Sequence, residues 1–405
     1  MRENIPRRDP EIEDDDFDEM LLVEEEAFFE EHEMEEIYID LLDQIPNLND
    51  GGESDEEREK IAIEHNSILS FANHNSTVHS CDLHPHLKLA ITSGEDDRAF
   101  LWNTKDGQVL QCISLHNDRI TNVHFSPDGT YLATGDSAGK LFAFSVLTPP
   151  ADESEYYVPL QCVWQYAMGD EMTWLRWHHT TQTLFAGGAS GDAFMFCIPS
   201  GDVKLYPGEK ERCIDGAITH DGDKLFLSYT SKIKLWNIKM CCVLHTICKL
   251  DSPYRAVACH KYYPIYVSGG FDGEVLFCNN NGTVGAVQAI GRAVSAAFSP
   301  SSDLNLVATS TSDSQVQVWD WSIYALHSSC ETKETITHLE WLNEHTLAAA
   351  TIDGNIFGYD VRTGSKIFKL SGHVAAIHHF KYKASENIIL TASDDATAKI
   401  FTVPI

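Results

Sequence analysis

Residues 92–102 read TSGEDDRAFLW, and fragments of the same kind recur along the chain up to residue 401. The adjacent carboxylates of Glu95, Asp96 and Asp97 could form a metal site or an acid/base pair, or they could mark a turn between two β-strands. Repetition favours the turn. The fragments end on anchor residues that are 42, 52, 40, 42, 41, 40 and 42 residues apart, namely Trp102, Phe144, Phe196, Trp236, Cys278, Trp319, Tyr359 and Phe401. A period of about 41 residues over eight units is the spacing of four-stranded propeller blades.

Other positions repeat in the same register. Six residues before the anchors is a position that we call the aspartate column, occupied by Asp96, Asp272, Asp313, Asp353 and Asp395. Ten residues before the anchors is a hydroxyl position, occupied by Thr92, Thr134, Ser268, Thr309 and Thr391. Histidines stand 22 residues before the aspartate column in three units, at His74, His116 and His373. This pattern resembles the WD-repeat family, whose blades hold a structural network of His, Ser or Thr, Asp and Trp. The resemblance implies that such a network is complete only in the first unit, as His74, Thr92, Asp96 and Trp102. Other units hold part of it, at His116, Asp313, Trp319, Asp353, His373, Thr391 and Asp395.

The predicted fold is all-β: a single closed eight-bladed WD-repeat β-propeller over residues 66–405. The last unit supplies strands near 374–380, 388–393 and 398–403, and Ser67–Phe71 is expected to close the ring as the missing outer strand, so that no sheet edge stays open. The one long interval contains a Pro-rich acidic insertion, TPPADESEYYVPL, at residues 148–160. A seven-bladed ring would require the fourth unit, with Thr230 at the aspartate position, to be something else.

Residues 1–65 form a separate, acidic N-terminal arm. They hold 26 acidic and five basic residues, net −21, whereas the whole chain of 405 residues has a net charge of −32. Such an arm repels nucleic acid and attracts basic partners. The arm is expected to be largely disordered, and the apolar spacing within residues 21–45 is consistent with a short amphipathic helix.

No motif in the sequence indicates an enzyme, and no cofactor or metal ion is expected. The patterns G-x-S-x-G, P-loop, G-x-G-x-x-G and H-E-x-x-H are absent. The histidine pairs at 84/86, 178/179 and 378/379 lie beside no spaced set of further ligands, and basic aromatic stripes for RNA are missing. No apolar stretch is long enough to insert in a membrane, and eleven scattered cysteines fit reduced thiols in the cytoplasm or nucleus.

Loops at the blade ends are the expected binding surface of a rigid ring. In the repeat register, the residue before the aspartate column and the entrance to the innermost strand face the same end of the disc. The partner-binding residues predicted there are Glu95, Phe271 and Asp394 from the first set and Asp118, Asp170, Glu171 and Tyr254 from the second. An acidic surface with a few aromatic residues suits a peptide rich in Lys and Arg, although ordinary solvated loop charges would give the same pattern. Each exposed contact is worth only about 0.5–1 kcal/mol, so several must act together.

Five stretches carry a narrower resemblance, to the angio-associated migratory cell protein family. They are ITSGEDDRAFLWNTKDGQVL (91–110), HFSPDGTYLATGDSAGKL (124–141), TWLRWHHTTQTLFAGGASGDAFMFCIPSGD (173–202), RTGSKIFKLSGHVAAIHHF (362–380) and SDDATAKIF (393–401). A fungal member of that family is a dedicated chaperone that captures the nascent N-terminal segment of one basic large-subunit ribosomal protein and escorts it to late ribosome assembly. The resemblance implies a non-enzymatic scaffold with a ribosomal-protein N-terminal segment as its partner.

Charge supports the same interpretation, because an acidic ring with an acidic arm can cover the basic surface that ribosomal RNA later occupies. A monomeric, cytoplasmic protein with no direct nucleic-acid contact is therefore expected. Two alternatives stay open. Tyr359-Asp360-Val361-Arg362 resembles the W-D-x-R element with which substrate receptors of cullin-type ubiquitin ligases dock their adaptor. A cytoplasmic signalling scaffold in cell migration is the other.

Overall fold

The computed structural model describes residues 66–147, 160–248 and 253–404. Every regular element in these ranges is a β-strand. The strands are β1 (Ser67–Phe71), β2 (Val78–Leu83), β3 (Leu89–Gly94), β4 (Ala99–Asn103), β5 (Val109–Ile113), β6 (Ile120–Phe125), β7 (Tyr131–Asp136), β8 (Lys140–Val146), β9 (Leu160–Ala167), β10 (Met172–Trp177), β11 (Thr183–Gly188), β12 (Ala193–Cys197), β13 (Val203–Tyr206), β14 (Cys213–Ile218), β15 (Lys224–Tyr229), β16 (Lys232–Asn237), β17 (Cys242–Cys248), β18 (Tyr254–Cys259), β19 (Ile265–Gly270), β20 (Glu274–Asn279), β21 (Gly282–Gln288), β22 (Ala293–Phe298), β23 (Leu306–Thr311), β24 (Gln315–Asp320), β25 (Ala325–Glu331), β26 (Ile336–Trp341), β27 (Thr346–Thr351), β28 (Asn355–Asp360), β29 (Ser365–Ser371), β30 (Ile377–Lys383), β31 (Ile388–Ser393) and β32 (Ala398–Thr402).

These strands form eight four-stranded antiparallel sheets, which confirms the predicted eight-bladed propeller. Blades 1 to 7 use consecutive groups of four strands starting at β2, and blade 8 consists of β30, β31, β32 and β1. The first strand of each blade contacts the first strand of both neighbouring blades all round the circle, so these eight strands line the axis. No helix in the described ranges is long and apolar enough to cross a membrane.

Strand β1 closes the ring as predicted. It pairs antiparallel with β32, with Ser67 opposite Phe401 and Phe71 opposite Ala398. Strand β30 begins at Ile377, three residues later than expected from the sequence. The reason lies in the preceding loop, where the backbone N–H of Val374 donates to the Asp395 carboxylate (3.2 Å) and is therefore not part of a sheet.

Two predicted features lie wholly or mostly outside the described residues: the arm of residues 1–65, with its helix at 21–45, and the insertion of residues 148–160. The strands on either side of the insertion still pair, because Val146 of β8 stands opposite Leu160 of β9. Blade 2 is therefore a regular four-stranded blade with a long outer connection.

A left-handed residue fixes the turn between the second and third strands in seven of the eight blades. It stands five places before each anchor: Asp97 (φ 57°), Gly139 (75°), Gly191 (95°), Gly273 (82°), Ser314 (59°), Gly354 (78°) and Ala396 (61°). Glycine and aspartate tolerate this conformation best. Blade 4 has a turn that is one residue shorter. Its anchor Trp236 pairs with Leu225, 11 residues earlier, whereas the anchor Trp102 of blade 1 pairs with Ala90, 12 residues earlier. Thr230 therefore does not occupy an aspartate position, and the fourth unit is still a complete blade.

The hydrophobic core is divided among the interfaces between blades. The cluster between blades 8 and 1 joins Leu390 and Ile400 to Phe71, Val78 and Trp102. Phe71 stacks on Trp102 with ring centroids 4.7 Å apart and planes 7° apart. Burying a side chain of this size is worth about 1.5–3 kcal/mol, so adjacent blades stabilise each other round the whole ring.

Candidate functional site

The predicted network of blade 1 is formed as expected. His74 Nδ1 lies 3.0 Å from Asp96 Oδ1, His74 Nε2 lies 3.1 Å from Thr92 Oγ1, and Trp102 Nε1 donates to Thr92 Oγ1 (3.3 Å). Burial alone would raise the pKa of Asp96, but the hydrogen bond and charge of His74 and two backbone N–H donors hold it below its usual value. Asp96 thus ties the loop before the innermost strand to the turn between the second and third strands, and its role is structural.

Blades 2 and 8 carry the same device. His373 lies 2.7 Å from Asp395 and 2.6 Å from Thr391, as predicted. His116 Nε2 lies 2.8 Å from Thr134 Oγ1, but its Nδ1 contacts Asp136 (2.7 Å), which stands two residues before the aspartate column. Sequence analysis missed Asp136 because it assumed a fixed spacing to the anchor. Residue 138, at the aspartate-column position of blade 2, is alanine, but an aspartate stands two residues before it and the unit keeps its histidine, which is the pattern that indicates Asp136.

We expect Asp136→Asn to lower the free energy of unfolding by about 1–2 kcal/mol, because the buried His116 ring loses its charged acceptor. Asp136 also accepts the backbone N–H of Lys140 (2.8 Å), so the turn should loosen with it. Urea denaturation followed by tryptophan fluorescence measures the change. Asp118→Asn is the matched control, because Asp118 lies in the same blade and accepts only the adjacent Arg119 N–H among the described residues. Equal stability of the two variants would show that Asp136 is not part of the network.

Blades 6 and 7 do not form the full network. Trp319 Nε1 donates to Thr309 Oγ1 (2.9 Å), as in blade 1. The residue 22 places upstream of Asp313 is Gly291, where a Cβ would collide with the Asp313 carboxylate, and the residue 22 places upstream of Asp353 is Glu331. The structure therefore brings neither Asp313 nor Asp353 to a histidine. Burial and nearby Glu334 raise the pKa of Asp353.

One repeated backbone hydrogen bond defines the face on which partner contacts were predicted. The residue after the second strand donates its N–H to the residue just before the first strand, at 2.9–3.0 Å, in the pairs Glu95–Thr77, Ser137–Arg119, Ala189–Glu171, Phe271–Pro253, Ser312–Arg292, Ile352–Thr335 and Asp394–Ala376. Both predicted sets of residues therefore surround the same mouth of the channel, which confirms that they share one end of the disc. We call this end the upper face.

Five of the predicted residues lie on four consecutive blades of the upper face, blades 8, 1, 2 and 3. We call these five residues the acidic arc. They are Asp394, Glu95, Asp118, Asp170 and Glu171. Three belong to local pairs: Asp394 with His378 (2.6 Å), Glu95 with the Ser76 hydroxyl (2.6 Å) and Glu171 with Arg212 (2.8 Å). Asp170 accepts the backbone N–H groups of Glu171 and Ser190, so it shapes its loop as well as adding charge.

The two predicted aromatic contacts are placed differently. Tyr254 is only 1 % exposed and packs in the core between blades 4 and 5 with Val257 and Tyr266, so it is not part of the binding surface. Its position at the start of β18 makes its side chain point into the sheet interface. Phe271 does lie on the upper face, but two arginines flank its ring, Arg292 at 4.9 Å and Arg255 at 5.5 Å. A lysine-rich peptide would meet positive charge there.

Sequence analysis did not identify the central channel, where one layer of residues is ionisable on five adjacent blades and alanine on the other three. The fifth residues of the eight innermost strands are, in blade order, Asp82, His124, Arg176, Ala217, Ala258, Ala297, Glu340 and Lys381. Cross-blade pairs join Lys381 to Glu340 (2.6 Å) and Arg176 to Asp215 (3.0 Å). Burial and the loss of solvent raise the pKa of Asp82 to about 6 and lower the pKa of both His124 and His338 to about 3.

These channel histidines are expected to make the fold acid-sensitive. Below pH 6.5 the unfolded chain protonates His124 and His338, but the folded chain leaves them neutral down to about pH 3. The unfolded state then binds more protons, so stability is lost as pH falls from 6.5 towards 3, by about 1 kcal/mol per pH unit for each histidine. Asp82 opposes this between about pH 6 and pH 4, where the folded chain is the one that keeps its proton.

Urea midpoints at about pH 7.5, 6.5 and 5.5 measure this dependence, because these conditions lie on both sides of the ordinary histidine pKa of about 6.5. The variant His124→Asn/His338→Asn should lose less stability on acidification than the parent chain. His327→Asn, at an exposed position of β25, is the control and should not change the slope. Identical slopes for all three proteins would rule out the channel histidines as the cause.

The turn that resembles an adaptor-docking element is locally paired. Arg362 Nε lies 3.0 Å and its Nη2 lies 2.8 Å from the two carboxylate oxygens of Asp360, and Tyr359 is buried. Both Arg362 and Asp360 thus satisfy each other within the turn after β28. Among the described residues, no group of three or more His, Cys, Asp or Glu side chains is arranged to hold a metal ion. All eleven cysteines are free thiols.

Comparison with known protein families follows the blade structure. The family model described as WD domain, G-beta repeat matches residues 65–103 and 107–142, which span blade 1 and most of blade 2. The chain therefore contains WD repeats. A second model, described as anaphase-promoting complex subunit 4 WD40 domain, matches residues 296–385, in blades 6 to 8.

Two kinds of relatives resemble this WD-repeat protein over most of its length. Human angio-associated migratory cell protein is 28 % identical over 361 residues, which are 83 % of this chain and 80 % of that protein. The ribosome assembly protein SQT1 of Saccharomyces cerevisiae is 22 % identical over 401 residues, 86 % of this chain and 90 % of that protein. The crystal structure of Chaetomium thermophilum Sqt1 bound to the N-terminus of the ribosomal protein L10 has a TM-score of 0.77 and 18 % identity, and covers 84 % of this chain and 100 % of that one.

Proposed function

We propose that this WD-repeat protein is a dedicated chaperone of a basic ribosomal protein of the large subunit and holds that protein's N-terminal segment on the acidic arc. The observation that carries the proposal is the acidic arc on one face of a propeller whose relatives include a ribosome assembly protein. The solved Sqt1 complex with the N-terminus of L10 supports the same class of partner. The protein acts as a scaffold in the cytoplasm and has no catalytic step.

The physical basis is competition for positive charge. A newly made ribosomal protein is a dense cation, and five carboxylates on one face together with an arm of net charge −21 can cover part of it. Each exposed ion pair contributes only about 0.5–1 kcal/mol, so affinity requires several pairs at once. Ribosomal RNA offers many more phosphates at the assembly site and therefore displaces the chaperone there.

Affinity purification from cytosol tests the proposal directly. Full-length chain and residues 66–405 are used as two baits, and bound proteins are identified by mass spectrometry. One basic large-subunit ribosomal protein should dominate with both baits and be recovered less well by the shorter one. Dominance of ubiquitin-ligase adaptors or signalling proteins would refute the chaperone proposal, and dependence on Arg362 would then point to the ligase-receptor alternative.

We expect binding of the isolated L10 N-terminal segment to weaken steeply with salt. Because screening acts on exposed charges, the dissociation constant should rise about 10-fold or more between about 50 and 200 mM salt. Fluorescence anisotropy with a labelled segment measures this, and removal of residues 1–65 should reduce the salt dependence. A flat dependence for the full-length chain would contradict an electrostatic capture mechanism.

A further inference from the structure

The upper face carries a second, oppositely charged feature over blades 5 and 6. Phe271, in the turn after β19, is held by the hydrogen bond from its N–H to Pro253 O (2.9 Å). The guanidinium of Arg255, from β18, lies 5.5 Å from the ring centroid, and that of Arg292, just before β22, lies 4.9 Å from it. We call these three residues the arginine–phenylalanine cleft.

Neither arginine of the cleft forms an ion pair within the part of the chain that the structure describes. Three other exposed arginines have carboxylate partners: Arg176 has Asp215, Arg212 has Glu171 and Arg362 has Asp360. Arg255 and Arg292 make no salt bridge with any described residue, and both side chains belong to exposed residues. Two cations held beside one ring at exposed positions form a suitable site for an anion, because a guanidinium binds carboxylates in a bidentate way.

The backbone around the cleft is fixed, which lowers the entropy that a ligand must overcome. Ser312 donates its N–H to Arg292 O (2.9 Å), and Arg292 donates its own N–H to Ser312 Oγ (3.2 Å). Two apolar side chains beside Arg292 are exposed, Ile290 to 56 % and Val294 to 37 %. A bound segment can therefore place an anionic side chain between the arginines and an apolar neighbour on these residues.

The position of the cleft relative to the acidic arc determines the class of ligand. In an eight-bladed ring blades 5 and 6 lie opposite blades 1 and 2, so the cleft faces Glu95 and Asp118 across the mouth of the channel. A nucleic acid carries negative charge along its whole length and would be repelled by the acidic arc. A protein segment can instead present acidic side chains at one point and neutral or basic ones elsewhere.

We propose that the arginine–phenylalanine cleft binds the carboxylate side chains of an acidic segment of a partner protein. Arg255 and Arg292 pair with Asp or Glu side chains, and the Phe271 ring holds the two guanidinium planes in place. The cleft goes beyond the proposed chaperone function, since it recognises charge opposite to that taken by the acidic arc and does not require a ribosomal-protein partner.

Fluorescence anisotropy with the full-length chain tests the cleft, using a fluorescein-labelled peptide of Asp, Glu, Ser and Leu as the probe at about 50 mM salt, where exposed charges are weakly screened. We expect saturable binding that Arg255→Ala/Arg292→Ala weakens by about 10-fold. The matched control is Arg98→Ala/Arg119→Ala, which removes two other exposed arginines of the upper face that make no salt bridge among the described residues. It changes the net charge equally and should shift affinity by less than about 2-fold.

Two further measurements make the result decisive. Unchanged urea midpoints show that both double variants are folded, and Arg255→Lys/Arg292→Lys should recover only part of the affinity because lysine lacks the bidentate geometry. Absence of saturable binding by the parent chain, or equal loss in the two alanine pairs, would overturn the proposal. Binding of inorganic phosphate or an RNA oligonucleotide that depends on Arg255 and Arg292, without binding of the acidic peptide, would also overturn it.

Discussion

A chain shortened to residues 73–405 is expected to lose the folded propeller, whereas one shortened to residues 66–405 is expected to keep it. The seven residues that differ contain β1, the outer strand of blade 8. Without β1, strand β32 becomes an open edge, and Phe71, only 2 % exposed, no longer covers Trp102. Loss of a buried phenylalanine side chain alone costs about 3–5 kcal/mol, against a total stability of about 5–15 kcal/mol for a typical protein.

Circular dichroism and gel filtration of the two shortened chains measure this difference. The 73–405 chain should show no cooperative unfolding transition and should aggregate through its open edge. Two point variants in the 66–405 background separate packing from strand pairing: Phe71→Ala should destabilise by about 3 kcal/mol or more, and Phe71→Leu by much less. Identical melting of the 66–405 and 73–405 chains would show that the ring closes without β1.

The repeat made the fold predictable because every blade must solve the same packing problem. Anchors such as Trp102 and Trp319 fill equivalent interfaces between blades, so their spacing counts the blades directly. Strand β1 could be located because the last unit ended one strand short. Blade 4 carried the weakest signal, since its turn is one residue shorter and a fixed spacing places Thr230 at a position that has no equivalent.

The site was less predictable, because a repeat register gives a residue's face but not its neighbours. Glu95 and Asp394 lie on the upper face as the register indicated. Tyr254 is instead the first residue of β18, and the equivalent residues of the other innermost strands, such as Val78 and Ile120, are buried as well, so its ring points into the blade interface. The arginines around Phe271 come from two adjacent blades and stand 16 and 21 residues from it in sequence (Arg255 and Arg292), and such contacts depend on blade packing. His116 shows the same limit, as its partner Asp136 lies off the column.

We expect the triple variant Glu95→Lys/Asp118→Lys/Asp394→Lys to weaken binding of the L10 N-terminal segment by about 100-fold at low salt. Each substitution replaces an attraction by a repulsion, worth about 1 kcal/mol at an exposed site, and the three together amount to about 3 kcal/mol. Asp170 is left unchanged because its carboxylate bonds two backbone N–H groups, and Glu171 because it pairs with Arg212. Anisotropy titration with the labelled segment gives the dissociation constants.

The matched control reverses three exposed aspartates at the opposite end of the disc, Asp106→Lys/Asp202→Lys/Asp303→Lys. Strand direction puts the loops after the first and third strands at that end, so this variant has the same net charge but an intact acidic arc. It should change affinity by less than about 3-fold, since charges farther away than the screening length of about 10 Å contribute little. Equal weakening by both triple variants would mean that net charge alone drives binding. If neither triple variant weakens binding, the acidic arc is not part of the binding site. If a segment whose basic residues are changed to glutamate binds the acidic-arc variant again, the arc and the segment pair directly.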